Sequence, residues 1–271
     1  MITAPERIPE SFCSFRRLND GKELIMLRTV FLLIIAILYL ILTLPVLLIL
    51  ALIRKKNPEK CGRIANAMIR WIFRVLGAGA GTKINVRGLE NIPEDQAVLY
   101  VANHRSIFDI ILVHPYTKGR TGFVAKDSLG KVPLFNIWCK YIGCLFFNRD
   151  NMREGIQMIR DGADLLAAGN SVFIFPEGTR GKEEEDLPLL PFHEGSFRIA
   201  TKNNSLIVPV AINNTAAIFE KQMPAVKSRR VVIEFCQPVD PASLSRADKK
   251  RLGVICSEQI AAAISANQAY L

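Results

Sequence analysis

The stretch AVLYVANHRSIFD, residues 97–109, joins an apolar run to a polar turn and then to the start of a helix. The apolar run at 97–102 predicts a buried strand, and the helix is expected to begin near Asp109. Five further apolar runs follow, with helical stretches between several of them. This alternation predicts an α/β fold whose largely parallel central sheet is flanked by helices. The further runs cover residues 122–125, 144–147, 171–175, 206–212 and 230–235, and the helical stretches cover 152–168, 192–202 and 245–266.

His104 and Asp109 follow the first predicted strand, at the place where open α/β sheets bind ligands. Histidine titrates near neutral pH and therefore suits a general base. An aspartate in the first helical turn could hold the other ring nitrogen, fix the tautomer and stabilise the imidazolium. The alternative interpretation is structural, with Asp109 as an acid at a helix N-terminus and His104 as a turn residue.

Cationic side chains follow other predicted strands. Lys126, Arg149 and Arg180 each come at or just after the end of an apolar run. Because the carboxyl ends of parallel strands meet at one sheet edge, we expect these cations near His104. Gly178 permits a tight turn whose amides can approach an anion, and arginine offers a planar fork for phosphate oxygens. Together the cations predict a phosphate-bearing substrate, although each one alone is more often a solvated residue.

An uncharged segment at residues 29–53 precedes the α/β region. It exceeds the roughly 20 residues that a helix needs to cross a bilayer, and Pro45 within it predicts a kink or a re-entrant bend. The predicted anchor is therefore a membrane helix or a helical hairpin that returns to the same face. The net charge of +10 is concentrated at residues 54–87, where Glu59 is the only acid. This basic block fits anionic lipid headgroups and a cytoplasmic location of the following domain. Nucleic acid is the rival partner, but no nucleic-acid-binding motif supports it.

The segment at residues 63–79 has apolar residues at helical spacing, with arginines between them. We expect it to lie on the membrane surface, and an ordinary core helix is the alternative. The glycine-rich tract at 77–81 marks the boundary of the globular part. The predicted organisation is a polar segment at 1–28, membrane-anchoring helices at 29–81 and an α/β domain at 82–271.

Missing sequence patterns argue against several classes of protein. The six cysteines are far apart and form no CxxC pair or metal-type spacing, which argues against a disulfide framework or a zinc site. A serine hydrolase would need a G-x-S-x-G turn, and none is present. The glycine tract lacks the spacing of a dinucleotide-binding loop.

Four short motifs lie in order along roughly residues 85–235. The first is a histidine and an aspartate separated by four residues, and the last is an apolar strand with an internal proline. Four ordered motifs form a more specific pattern than any one of them. They comprise Asn103, His104 and Asp109; Gly143, Phe147 and Arg149; Glu177, Gly178, Thr179 and Arg180 with Pro191, Phe192 and Gly195 after them; and Val208, Pro209 and Val210.

This set resembles the glycerolipid acyltransferase family, and within it the 1-acylglycerol-3-phosphate acyltransferases. Two positions depart from the family pattern: Asn148 stands where an aspartate is common, and Gly181 where a serine often follows the arginine. The resemblance implies acyl transfer to lysophosphatidic acid, with phosphatidic acid as the product in phospholipid biosynthesis. It implies acyl-CoA or acyl-acyl carrier protein as the donor, no cofactor, no metal and a membrane location with the active domain facing the cytoplasm.

The resemblance also implies roles for single residues. His104, oriented by Asp109, would deprotonate the free hydroxyl of the acceptor, whose oxygen then attacks the thioester carbonyl without a covalent enzyme intermediate. Substrate-binding roles are implied for Lys126, Arg149, Glu177, Gly178, Thr179 and Arg180.

Two alternatives stay open. The acceptor could be another lysolipid, such as a lyso-ornithine lipid or a lysophospholipid. The chain could also be an inactive membrane-bound lipid-binding module, although the intact pair of His104 and Asp109 argues against this.

Overall fold

A computed structural model of the chain describes residues 10–181 and 186–271, and for residues 10–25 it describes the backbone alone. The predicted polar segment at 1–28 therefore lies partly outside the described residues. The helices are α1 (Glu10–Leu42), α2 (Leu44–Lys56), α3 (Pro58–Gly79), α4 (Phe108–Val113), α5 (Phe135–Ile142), α6 (Met152–Ala167), α7 (Arg198–Thr201) and α8 (Leu252–Asn267). The strands are β1 (Lys83–Arg87), β2 (Leu99–Ala102), β3 (Thr121–Lys126), β4 (Leu145–Phe147), β5 (Ser171–Ile174), β6 (Ile207–Asn213) and β7 (Arg230–Phe235).

All seven strands form one sheet in the order β1-β7-β6-β2-β5-β3-β4. Neighbouring strands are parallel throughout, except that β6 and β7 are antiparallel. The predicted fold class and all six predicted strands are confirmed. β1 was not predicted, because its sequence KINVR alternates polar and apolar residues at the edge of the sheet and lacks a continuous apolar run.

Both faces of the sheet are covered by helices, and the side chains of β2 divide between them. Tyr100 points into a core shared with α3, α4 and α5, whereas Leu99 and Val101 point into a second core shared with α6, α7 and α8. Every residue of β2, β5 and β6 is buried. A strand that is buried on both faces requires apolar residues at every position, which is why these strands were visible as continuous apolar runs.

The predicted helices are present with shorter bounds. The stretch at 192–202 contains a 3-10 turn followed by α7, and the stretch at 245–266 contains a 3-10 turn and then α8. Helix α5 was not predicted. Its sequence FNIWCKYI is short, and it is flanked by a 3-10 turn and by strand β4.

Helices α1 and α2 contain the uncharged segment. α1 continues through residue 28 without a break. The boundary predicted at residue 28 therefore marks a change in composition and does not coincide with the end of a helix. The predicted kink is present: Pro45 lies in the first turn of α2, and the two helices are bent by 48°. Among the described residues no single helix has the length and apolarity to cross a bilayer, whereas this bent pair meets both criteria when taken together.

Helix α3 packs onto the α/β body through one face. Cys61, Ala65, Ile69 and Ile72 are buried against the core, while Trp71 is 57% exposed. Two arginines of the predicted basic block are held by the loop before β3. Arg70 donates to the carbonyl oxygen of residue 119 at 2.5 Å, and Arg74 donates to that of residue 115 at 3.3 Å. α3 thus combines a core face with an exposed face.

Candidate active site

The turn after β2 is fixed to the neighbouring strand by Asn103. Its side-chain amide donates to the carbonyl oxygen of Ile212 at 2.8 Å, and the backbone amide of Ile212 donates to the Asn103 side-chain oxygen at 2.9 Å. Asn103 is fully buried, so these two bonds replace the backbone pairing that ends with the strand. The residue before His104 therefore holds the turn to β6.

His104 and Asp109 are in contact, as predicted. The His104 Nδ1 lies 2.7 Å from Asp109 Oδ2, and this oxygen also accepts the backbone amides of Arg105 and Ser106 at 2.8 Å each. The hydroxyl of Thr215 donates to the other carboxylate oxygen. Because the carboxylate is buried and surrounded by donors, it favours a proton on Nδ1 and leaves Nε2 to accept one.

The imidazole of His104 is also held by an aromatic ring. It stacks on Phe175, with ring centroids 4.0 Å apart and an angle of 17° between the planes. The side chain of His104 is 14% exposed. Hydrogen bonding to Asp109 and stacking on Phe175 together fix the direction in which Nε2 points, which is the requirement for a positioned base.

Glu177 lies beneath the turn and is bound by backbone amides on both sides. One oxygen accepts the amide of His104 at 2.6 Å, and the other accepts the amide of Leu190 at 3.0 Å. Burial raises the pKa of its carboxyl group, and these two hydrogen bonds oppose the shift. The sequence predicted Glu177 as a substrate-binding residue. In the structure both of its oxygens support the backbone, so it contributes to the shape of the site.

The turn after β5 places two arginines close together. Gly178 has a positive φ of 69°, which few residues other than glycine adopt, and its carbonyl oxygen accepts a hydrogen bond from Arg149. The pKa of Arg149 is lowered by burial and then by the positive charge of Arg180. The two guanidinium groups are thus close enough for their charges to act on each other, an arrangement that suits the binding of an anion.

The third predicted cation ends its strand at the same edge. Lys126 is exposed and pairs in register with Phe147 of β4, two residues before Arg149. Thr179 lies between Gly178 and Arg180 and lines an open cavity of about 690 Å³. The structure thus gathers the predicted residues at one edge of the sheet.

The cavity extends from this edge towards α6. Its lining includes Arg149, Phe175 and Gly178 together with the apolar side chains of Ile156 and Ile159 of α6. Among the described residues no group of three or more His, Cys, Asp or Glu side chains could hold a metal ion. The site therefore consists of a His–Asp pair, two adjacent arginines and a partly apolar cavity.

Two residues of the site were missed by sequence reasoning. Arg105 is 1% exposed and donates to the carbonyl oxygens of Asp186 at 2.8 Å and Pro188 at 2.6 Å. Glu220, in a 3-10 turn after β6, accepts a hydrogen bond from Arg180 at 2.9 Å. Arg105 lies inside the first motif and Glu220 lies outside all four, but the partners of both residues are distant along the chain, so their contacts could not be predicted from the sequence.

Comparison with known proteins identifies the family. A family model described as Acyltransferase matches residues 83–213. The 1-acyl-sn-glycerol-3-phosphate acyltransferase of Borreliella burgdorferi is 31% identical over 199 residues, which cover 73% of this chain and 78% of the relative. The corresponding protein of Haemophilus influenzae is 28% identical over 215 residues, covering 78% and 84%.

A solved structure agrees over nearly the whole chain. The crystal structure of the 1-acyl-sn-glycerophosphate (LPA) acyltransferase PlsC from Thermotoga maritima superposes with a TM-score of 0.78 at 26% identity. The match covers 92% of this chain and 98% of the other. With the His–Asp pair, the Glu-Gly-Thr-Arg turn and the order of the strands, these matches show that the chain belongs to the acyltransferase family that contains the 1-acyl-sn-glycerol-3-phosphate acyltransferases.

Proposed function

We propose that this chain transfers an acyl group from a thioester donor to the free hydroxyl of 1-acyl-glycerol-3-phosphate, giving phosphatidic acid. The observation that carries the proposal is a His104–Asp109 pair at the same sheet edge as Arg149, which is hydrogen-bonded to the turn that contains Arg180. A base beside an anion site suits an acceptor that carries both a hydroxyl and a phosphate. The names of the relatives support the same acceptor.

The reaction follows from the orientation of His104. Nε2 accepts the proton of the acceptor hydroxyl while the hydroxyl oxygen forms a bond to the thioester carbonyl carbon. The resulting imidazolium is stabilised by Asp109, whose carboxylate lies 2.7 Å from Nδ1. When the tetrahedral intermediate collapses, the carbon–sulfur bond breaks and the departing thiolate takes the proton from His104. Protons and charges balance without a covalent enzyme intermediate.

Arg149 and Arg180 hold the acceptor phosphate in this mechanism, and Lys126 adds positive charge at the same edge. Fixing the phosphate fixes the position of the nearby hydroxyl relative to Nε2. Holding two reactants in the reactive geometry supplies much of the rate of such a reaction. Thr179 and the backbone at Gly178 complete the acceptor side, and Glu177 supports the turn that carries them.

The donor is an acyl thioester, either acyl-CoA or acyl-acyl carrier protein, and the reaction needs no cofactor. We also propose that the protein is bound to a membrane, with the α/β domain on the cytoplasmic side. This proposal is supported by exposed apolar side chains along α1 and α2. The last turn of α2 consists of the basic residues Arg54, Lys55 and Lys56. Apolar surface of this extent, followed by basic residues, fits the interior and the headgroups of a bilayer.

The test is an acylation assay with the full-length protein in detergent. The protein is incubated with acyl-CoA or acyl-acyl carrier protein and a panel of lysolipids that includes lysophosphatidate, a lyso-ornithine lipid and lysophospholipids. Products are identified by mass spectrometry. We expect phosphatidate as the main product. His104→Ala should lower the turnover by roughly 10²–10⁴-fold, the usual contribution of a general base.

The controls separate the alternatives. Asp109→Asn should also be severe, because the amide cannot stabilise the imidazolium in the same way. Preferred acylation of another lysolipid would replace the proposed acceptor and keep the reaction. Absence of acylation with every donor and acceptor would favour a lipid-binding module. A His104→Ala variant that keeps more than about a tenth of the turnover would refute the role of His104.

A further inference from the structure

Glu220 connects the two halves of the candidate active site. Its Oε1 accepts hydrogen bonds from Arg180 Nη1 at 2.9 Å and from the backbone amide of Ile107 at 2.8 Å. Its Oε2 accepts the hydroxyl of Ser106 at 2.5 Å. A single carboxylate thus binds the arginine that follows β5 and the loop that follows β2.

In the loop after β2, the connection continues from Ser106 through Asp109 to His104. The backbone amide of Ser106 donates to Asp109 Oδ2, the oxygen that also contacts His104 Nδ1. Arg180 and His104 therefore share a continuous chain of hydrogen bonds through Glu220, Ser106 and Asp109. Because Asp109 is fully buried, the His104 end of this chain has little freedom to move.

At the other end, Glu220 restricts a side chain that would otherwise be mobile. The side chain of Arg180 is 50% exposed, and that of Glu220 is 17% exposed. An exposed arginine loses rotamer freedom when it is fixed on a ligand. Glu220 binds one arm of the guanidinium and leaves its other nitrogens for an anion, so Arg180 is partly ordered before the phosphate arrives.

The distance between phosphate and base decides which hydroxyl is acylated. In 1-acyl-glycerol-3-phosphate the free hydroxyl is on the carbon next to the phosphate-bearing carbon. In the 2-acyl isomer it is one carbon further away. We infer that Glu220 is a positioning residue that fixes Arg180 relative to His104 and thereby selects the acceptor with the nearer hydroxyl. This inference rests on the proposed function.

The competing explanation is that Glu220 only stabilises the turn at Ser106 and Ile107. Loss of a structural support would lower activity on both isomers by the same factor. Loss of a positioning contact would lower activity on the preferred isomer more, because a misplacement of about 1 Å can cost roughly a hundredfold in rate. The ratio of the two activities therefore separates the explanations.

The experiment uses Glu220→Gln in the full-length protein. Glutamine keeps the size and one oxygen acceptor but removes the charge that binds Arg180. The acceptors are 1-O-alkyl- and 2-O-alkyl-glycerol-3-phosphate, since an ether chain cannot migrate between the hydroxyls. We measure kcat/KM for both acceptors on one preparation, so that the fraction of folded protein cancels in the ratio.

We expect the wild-type protein to prefer the 1-O-alkyl acceptor and Glu220→Gln to reduce this preference about tenfold. In an Arg180→Ala background the same substitution should leave the ratio unchanged, because the side chain that Glu220 positions is absent. Glu94→Gln is the matched control. It removes an exposed ion pair with Lys118, which lies before the amino ends of β2 and β3 and therefore at the sheet edge opposite the site, and it should leave both activities at the wild-type level.

Two results contradict the inference in distinguishable ways. A ratio in Glu220→Gln within about twofold of the wild-type ratio would overturn the positioning role and leave the proposed function intact. Wild-type protein that acylates neither acceptor would overturn the proposed function, and the inference with it.

Discussion

The guanidinium group of Arg105 lies so close to the backbone of Gly181 that a Cβ atom at position 181 would overlap Nη1. Gly181 also donates its amide to the carbonyl oxygen of His104 at 2.9 Å. The segment after Arg180 therefore closes directly over the residue that follows the base. This contact gives a physical reason for the departure from the family pattern, in which a serine often follows the arginine.

We predict that Gly181→Ala destabilises the protein. Forcing a methyl group into a closely packed site usually costs about 1–3 kcal/mol, and here the obstacle is a buried guanidinium that is bound to two carbonyl oxygens. The free energy of unfolding, measured by denaturant titration in detergent, should fall by that amount. Gly155→Ala is the control, because nothing lies within 4 Å of a Cβ there and the residue is inside α6. It should be neutral or stabilising.

The parts of the site that were predicted from the sequence depend on local or topological rules. The contact of His104 with Asp109 spans five residues across one strand-to-helix turn, so a local pattern sufficed. The proximity of Arg149 and Arg180 followed from the rule that parallel strands end at the same edge. Neither rule requires knowledge of side-chain packing.

The remaining parts depend on packing between distant segments. Glu220 meets Ser106 across 114 positions of the chain, and Arg105 meets Pro188 across 83. For Glu177 the resemblance implied a substrate-binding role, and the hydrogen bonds that its carboxylate forms with the backbone could not be predicted from the motif. Its contacts with the amides of His104 and Leu190 appear only when the two loops are packed together.

We predict that acid destabilises the folded protein through His114. This side chain is fully buried, and burial followed by the charge of Arg70 lowers its pKa to about 3. An unfolded histidine has a pKa of about 6.5, so the unfolded state binds the proton first as the pH falls. Between these values the free energy of unfolding should therefore decrease by about 1.4 kcal/mol per pH unit.

The measurement is denaturant unfolding at pH 6.5 and pH 5 for the wild-type protein and His114→Leu. The variant should lose roughly 2 kcal/mol less over this interval, since leucine has no proton to bind. His193→Gln, at an exposed position, is the control and should follow the wild type. An equal loss in the wild type and His114→Leu would show that other groups govern the acid response.

We predict that Trp71 reports contact with the lipid interior. The chain has two tryptophans: Trp71 is 57% exposed beside Tyr39 of α1, whereas Trp138 is fully buried. In vesicles that contain lipids brominated along the acyl chain, the emission of Trp71 should be quenched. The remaining emission of Trp71→Phe, which comes from Trp138, should be quenched much less. Equal quenching in both proteins would place the exposed face of α3 away from the bilayer.

We predict that Arg180 discriminates between phosphorylated and neutral acceptors. Removing one charge-assisted hydrogen bond to a ligand costs about 1.5–3 kcal/mol, or roughly ten- to a hundredfold in kcat/KM. Arg180→Ala should show this loss with lysophosphatidate and a much smaller one with monoacylglycerol, which has no phosphate. Arg180→Lys should recover only part of the activity, because an ammonium group cannot form the planar bidentate contact.

Arg149 should behave differently, because its guanidinium also supports the turn at Gly178. Arg149→Ala removes a phosphate ligand and a backbone contact together. It should therefore reduce kcat/KM with monoacylglycerol as well. The part of the loss that is due to the phosphate is the additional factor by which kcat/KM falls with lysophosphatidate. A comparison of both variants on both acceptors separates binding of the phosphate from support of the turn. If Arg180→Ala lost the same factor on monoacylglycerol as on lysophosphatidate, Arg180 would act on the donor or the fold, and the phosphate site would have to be assigned elsewhere.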